Sequence, residues 1–139
     1  MSAPPRPQFT GLSSATSANG TARNGATLVL DFASPLGLLV LATSTITTSS
    51  VVATFKMQVS NDETTWYDLK LPSNTSNVAT AAGTGVEVVT TLALTVPPSA
   101  FAAKFFRCVA TLSGATTDPA DLTEVTYQYI PQGYVQALL

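Results

Sequence analysis

The sequence predicts an all-β domain built as an antiparallel two-sheet β-sandwich, with jelly-roll order among the arrangements that fit. Three observations predict it. Apolar and polar residues alternate at period two in several stretches of strand length, which sets one row of side chains on a core and the other in water. Connections rich in Gly, Pro, Asn and Ser separate those stretches, the punctuation expected of many short strands. A chain of 139 residues is one domain by the usual relation of length to core size, and a two-sheet sandwich suits that size.

Residues 51–69 carry the strongest pattern. Val51, Ala53, Phe55, Met57 and Val59 alternate with Thr54, Lys56, Gln58 and Ser60, and only Val52 interrupts the phase. Ser60, Asn61 and Asp62 supply short polar side chains that bond nearby backbone in a turn. Thr65, Trp66, Tyr67, Asp68 and Leu69 then read as the returning strand of a hairpin, with the chain's single Trp as its largest apolar group.

The other elements follow in order. Residues 1–26 read as a flexible N-terminal arm: Pro4, Pro5 and Pro7 block regular pairing, and the Ser/Thr/Ala/Gly/Asn run after them has little to bury. Leu28, Leu30 and Phe32 alternate as a strand. Residues 36–42 are a continuous apolar run of strand length, which fits a central strand with both faces covered, by core or by a partner. Residues 71–85 read as loop. Val86, Val88, Thr90, Leu92, Leu94 and Val96 share one face of a further strand. Phe106, Cys108, Ala110 and Leu112 share another, with a short helix at residues 99–103 as the alternative just before it. Val125, Tyr127 and Tyr129 share the last, which Pro131 ends. The predicted organisation is an arm at 1–26, a sandwich at 27–130 and a C-terminal tail at 131–139. Trp66, Phe55, Met57, Leu92, Phe106 and Tyr127 form the predicted core.

Composition narrows function. Only 10% of residues are charged and the formal net charge is −2, against about 25% charged in an average domain. Such a surface has no electrostatic footprint for nucleic acid or an anionic membrane. No apolar run approaches the ~20 residues of a membrane span, and no secretory signal is visible, so folding in a cytosol is expected. With 45% hydrophobic residues and few charges to keep copies apart, life inside an assembly is a natural reading.

Chemistry is sparse. The chain has no His, so the usual general base and commonest metal ligand are missing. Its one Cys, Cys108, sits in an apolar strand and reads as a core thiol. Asp62, Glu63 and Asp68 cluster near one turn, but their spacing matches no Ca²⁺ loop. Glu87 and Glu124 lack any link that would make a glycosidase pair. Tyr127, Tyr129 and Tyr134 suit core or interface packing better than a sugar platform. No enzyme, cofactor or metal site is expected.

Residues 60–69, SNDETTWYDL, are similar to the S-x-D-G-x-x-W-x-x-L turn of many small β-sandwich virion proteins of tailed bacteriophages, where an apolar strand also precedes the turn. Residues 105–116, FFRCVATLSGAT, resemble their F-x-R-x-x-x-x-x-x-G-x-T strand. The early Asp31-Phe32 pair followed by the apolar run at 36–42 also fits. The turn departs from the pattern at Glu63, where the family carries Gly and a side chain disfavours positive φ. The resemblance covers roughly residues 27–130. It implies a structural virion protein, a capsid cement or decoration protein that binds across major capsid protein subunits on the capsid surface, as a homo-oligomer on the lattice, after synthesis in a bacterial cytoplasm. A tail, neck or baseplate protein, or a carbohydrate-binding module, are the alternatives. The candidate anchors for such partners are the large apolar residues of the two terminal segments: Phe9, Leu12, Tyr134, Val135, Leu138 and Leu139.

Overall fold

The computed structural model describes residues 8–30, 37–70, 76–80, 82–96, 102–114 and 119–130. The strands are β1 (Gln8–Ala15), β2 (Ala22–Asn24), β3 (Leu28–Val29), β4 (Gly37–Ile46), β5 (Val52–Ser60), β6 (Tyr67–Asp68), β7 (Asn77–Ala79), β8 (Val88–Thr95), β9 (Phe105–Ser113) and β10 (Leu122–Ile130). They form two antiparallel sheets packed as a sandwich. Sheet I has the order β1-β10-β4-β8. Sheet II has the order β2-β9-β5-β6, with β3 also on β9 and β7 also on β5.

The two short pairs are interrupted edge strands. β2 and β3 lie along the same side of β9, against residues 109–111 and 105–106. β6 and β7 lie along the same side of β5, at residues 58–59 and 54–56. Taken so, the strands run 1-8-3-6 in one sheet and 2-7-4-5 in the other. Every connection except the β5–β6 hairpin crosses between sheets. That is the order of a jelly roll, two Greek keys wrapped face to face.

The alternation in the sequence becomes the burial pattern. In β4, Leu38, Val40, Ala42, Ser44 and Ile46 are buried, while the residues between them are half-buried. Ala53, Phe55 and Met57 of β5 meet Phe106, Cys108, Ala110 and Leu112 of β9, with Val125 and Tyr127 of β10 facing them from sheet I. Phe106 and Tyr127 stack edge to face at 5.5 Å, the favourable geometry for two aromatic quadrupoles. β5, β9 and β10 were thus legible from period two, and β4 from its continuous apolar run, which marked it as a central strand.

Several expectations are corrected. Trp66 is not core: it is half-buried on the outer side of sheet II, and Tyr127, Phe55 and Phe106 are the largest enclosed side chains. Leu92 faces inward but is only half-buried, because β8 is an edge strand. Residues 8–15 and 22–24, expected to belong to a flexible arm, are strands of the sandwich. β1 pairs with β10, and β2 pairs with β9. Few large side chains are needed there because backbone hydrogen bonds and one cation do the ordering. Arg23 donates from Nη1 to the carbonyls of Ala15 and Thr123 and to the Thr123 hydroxyl, and from Nη2 to the Ser13 carbonyl. One guanidinium thereby ties β1, β2 and β10 together. The stretch predicted as loop contains the three-residue β7. The helix weighed at 99–103 falls largely outside the described residues, as does Phe32.

Candidate interaction end and the outer faces

Strand registers bring the start of β1 and the finish of β10 to one end of the sandwich. β1 begins at Gln8, opposite Gln128, and β10 finishes at Ile130, opposite Gly37 at the start of β4. β4 and β9 begin, and β8 finishes, at this same end. Three of the exposed large apolar residues belong here: Phe9, Val29 and Tyr67. Val29 is opposite Phe105 at the start of β9, and Tyr67 is opposite Val59 near the finish of β5. Phe9 packs edge to face on half-buried Tyr129 at 5.3 Å and stays 45% exposed, so part of its ring is open to a partner.

The predicted anchors separate on this evidence. Phe9 lies at that end with an open face. Leu12 does not serve as an anchor: it is 8% exposed and part of the domain's own core. A bulge in β1 between Thr10 and Leu12 shifts the register and turns Leu12 inward. Tyr134, Val135, Leu138 and Leu139 lie outside the described residues, in the segment that follows Ile130.

The turn at residues 60–65 is built by Asp62. Its Oδ1 accepts from the backbone N–H of Thr64 and Thr65 at 2.9 and 2.8 Å and from the Ser60 hydroxyl at 3.0 Å. Those donors hold the carboxyl below its ordinary range, the Thr65 amide most of all. Glu63 sits at φ 61°, so the position the resemblance assigns to Gly is left-handed here despite its side chain. Asp68 accepts from Gln58 Nε2 at 2.7 Å and lies 3.4 Å from Lys56 Nζ. Each acid near this turn for which a role is seen is folding the chain. Among the described residues no group of three or more His, Cys, Asp or Glu side chains gathers as metal ligands would.

The outer face of sheet II carries the polar side chains. Gln58 accepts from Arg107 Nε at 2.9 Å, and the Arg107 guanidinium lies over the Trp66 ring at 4.1 Å. The indole is therefore engaged by a cation, with its Nε1–H donating to the Glu63 carbonyl. Of the three tyrosines weighed as a sugar platform, Tyr127 is enclosed in the core and Tyr129 is partly covered by Phe9.

The outer face of sheet I is different. Cross-strand rows run Gln128-Leu39-Thr95, Thr126-Leu41-Ala93, Glu124-Thr43-Thr91 and Leu122-Thr45-Val89. Glu124 is the one charged residue in these rows. Thr43 and Thr91 share a hydroxyl hydrogen bond at 3.0 Å. Glu87 precedes β8, while Glu124 lies on β10 with β4 between, so the two carboxylates are not brought together.

Compared with protein-family models, with curated proteins and with solved structures, the chain matches none.

Proposed function

We propose that the protein is a structural component of a virus particle, a cement or decoration protein that reinforces a phage head by binding across major capsid protein subunits. The observation that carries this reading is the apolar end of the sandwich. Phe9, Val29 and Tyr67 are exposed there, and the sequence continues past Ile130 with Tyr134, Val135, Leu138 and Leu139. Apolar side chains exposed at one end of a domain gain most when a neighbouring surface buries them, each contributing up to ~1.5–3 kcal/mol. The cost of ordering the segment opposes this. Repeated over many symmetric copies, modest contacts sum to large reinforcement of a shell.

Three further features support the reading. The turn and strand that resemble phage β-sandwich proteins meet in the fold, since Ser60 and Phe105 are cross-strand partners and Arg107 lies over Trp66. The jelly-roll order recurs in capsid and lectin domains. The nearly uncharged outer face of sheet I, with Glu124 alone in its cross-strand rows, suits a protein held in a lattice better than one kept apart by charge.

The test is cosedimentation of the full chain with heads and with tails purified from the source particle. Head binding that weakens on removal of residues 131–139, and on Phe9→Ser, is the expected result. Binding to tails alone moves the protein to the tail, neck or baseplate. Binding to neither, with retention on a glycan column, replaces the reading with a carbohydrate-binding one.

A further inference from the structure

The jelly roll has four sheet edges, and three of them are blunted. β1 is broken by register shifts between Thr10 and Leu12 and between Leu12 and Ala15. The β2/β3 edge consists of strands of three and two residues. The β6/β7 edge consists of two and three, with Asp68 on it. Short strands, bulges and charges are the usual protections against edge-to-edge pairing. β8 has none of them. It runs eight residues, VVTTLALT, without Gly, Pro or a charge. Among the described residues only β4 pairs with it.

Its free groups can be assigned. The Val96 N–H donates to the Leu38 carbonyl of β4 at 2.8 Å, and antiparallel strands turn alternate residues to opposite neighbours. Even-numbered residues of β8 therefore bond β4. Val89, Thr91, Ala93 and Thr95 direct their N–H and C=O groups to the open edge. The side chains tell the same story. Leu92 and Leu94 face the core but remain half-buried, and Val89 is 60% exposed on the outer face.

We propose that β8 is a dimerisation edge, where a second copy of this chain pairs antiparallel about a two-fold axis through Leu92. The register follows from the free groups. With Leu92 opposite Leu92, Thr91 meets Ala93 and Val89 meets Thr95, so every open amide and carbonyl of both edges is paired. On the inner face Thr90 meets Leu94 and Val88 meets Val96. All these pairs are apolar or hydroxyl-bearing, with no charge set against a like charge. The same strand read in either direction satisfies its own edge, which is what an isologous interface requires. The two sheet I layers join into one continuous sheet, and the half-exposed Leu92 and Leu94 gain a neighbour. A partner of different sequence has no such match on offer from these residues. Edge pairing of this kind is independent of any virion role.

The test uses the full chain and two variants. Ala93→Pro removes an N–H that points to the open edge and leaves the β4 ladder intact, since Pro is tolerated on edges. Thr91→Lys puts a cation on each side of the axis. Sedimentation velocity over about 5–200 µM suits an interface near the lower size limit of roughly 1,000 Å². The expected result is a dimer for the natural chain and the 14.4 kDa monomer for both variants, with unchanged circular dichroism. Hydrogen exchange at Val89, Thr91, Ala93 and Thr95 should be slow in the dimer and fast in the Thr91→Lys monomer. A natural chain that stays monomeric with fast exchange at these amides overturns the proposal. So does a monomer in which they are protected, because the chain's own residues then cover the edge. A dimer that survives both substitutions places the interface elsewhere and overturns it equally.

Discussion

The Tyr127 hydroxyl accepts the Cys108 backbone N–H at 2.9 Å, joining β10 of one sheet to β9 of the other. It also donates to the Ala26 carbonyl at 2.9 Å. The contact falls where the edge of β9 is interrupted, between β2 at Asn24 and β3 at Leu28. Gly25 lies there, its N–H bonded to the Cys108 carbonyl. A Cβ on Gly25 would collide with that carbonyl and with the Tyr127 hydroxyl. A phenol oxygen thus completes a ladder that the broken edge strand leaves open.

Tyr127→Phe is therefore expected to destabilise out of proportion to the single atom removed. The buried Cys108 N–H loses its partner, and no water has easy access to it. The expected cost is about 1–3 kcal/mol, the penalty for orphaning a buried donor. Urea denaturation with an unchanged m value checks it. A variant as stable as the natural chain would mean that the amide finds another acceptor.

Glu63→Gly is expected to stabilise. Glu63 holds φ at 61°, a conformation that costs a residue with a Cβ about 1–2 kcal/mol. The side chain is exposed, so nothing packed is lost. The greater freedom of Gly in the unfolded chain offsets part of the gain, about 0.5–1 kcal/mol. A net rise of roughly 0.5 kcal/mol should appear as a small increase in Tm. Asp62→Ala tests the other half of the turn: it removes the acceptor for the Thr64 and Thr65 amides and should lower Tm.

These contacts show what was readable in the sequence and what was not. Phe55, Met57, Phe106 and Cys108 were legible because they lie on central strands, where period two maps directly onto inside and outside. Trp66 was misplaced because size alone does not say which face a residue takes at a strand end. Its position over Arg107 depends on a pairing between Gln58 and Arg107, far apart in sequence. β1 and β2 were illegible for a related reason. Their order comes from backbone pairing, a bulge that turns Leu12 inward, and one Arg bonded to carbonyls, none of which leaves a periodic signal. Strand order was hidden as well, since every connection but the β5–β6 hairpin joins strands of different sheets. At the candidate end, Phe9 was named as a candidate from composition, while Val29 and Tyr67 became candidates only when strand registers placed them at the same end.

Alkaline pH is expected to weaken the fold. Burial pushes the Cys108 thiol up from 9.0 to about 12, and burial likewise pushes the Tyr127 phenol upward. Both groups are neutral in the folded chain when their unfolded counterparts begin to ionise. The unfolded state then holds fewer protons, so stability falls as pH rises. For Cys108 the contribution is intact below about pH 9 and is lost between pH 9 and 12, at up to ~1.4 kcal/mol per pH unit. Cys108→Ala should flatten the first part of that decline at some cost in packing. A thiol reagent at pH 8 should label the unfolded chain within the mixing time and the folded chain only as fast as it opens. Rapid labelling under native conditions would contradict the burial of Cys108.

Two N-terminal deletions separate the strand from the segment before it. Residues 1–7 contain three Pro and, apart from Met1, no large apolar side chain, so their removal is expected to leave Tm unchanged. Removing residues 1–26 takes away β1, β2 and Arg23. The open side of β10 then loses its ladder partner, Leu12 leaves the core, and Tyr127 loses the Ala26 carbonyl. The expected outcome is loss of cooperative folding near room temperature, since these losses together rival the ~5–15 kcal/mol that holds a domain of this size. Arg23→Met isolates one part of the effect: it removes donors to the Ser13, Ala15 and Thr123 carbonyls while keeping an aliphatic stem, and should cost about 2–3 kcal/mol. Arg23→Lys should recover little, because one ammonium cannot span carbonyls on two separate strands with a guanidinium's fork. Thermal melts of the four variants decide the matter. If the chain lacking residues 1–26 melts like the natural protein, then β1 and β2 contribute nothing to the fold and the arm expected from composition is restored.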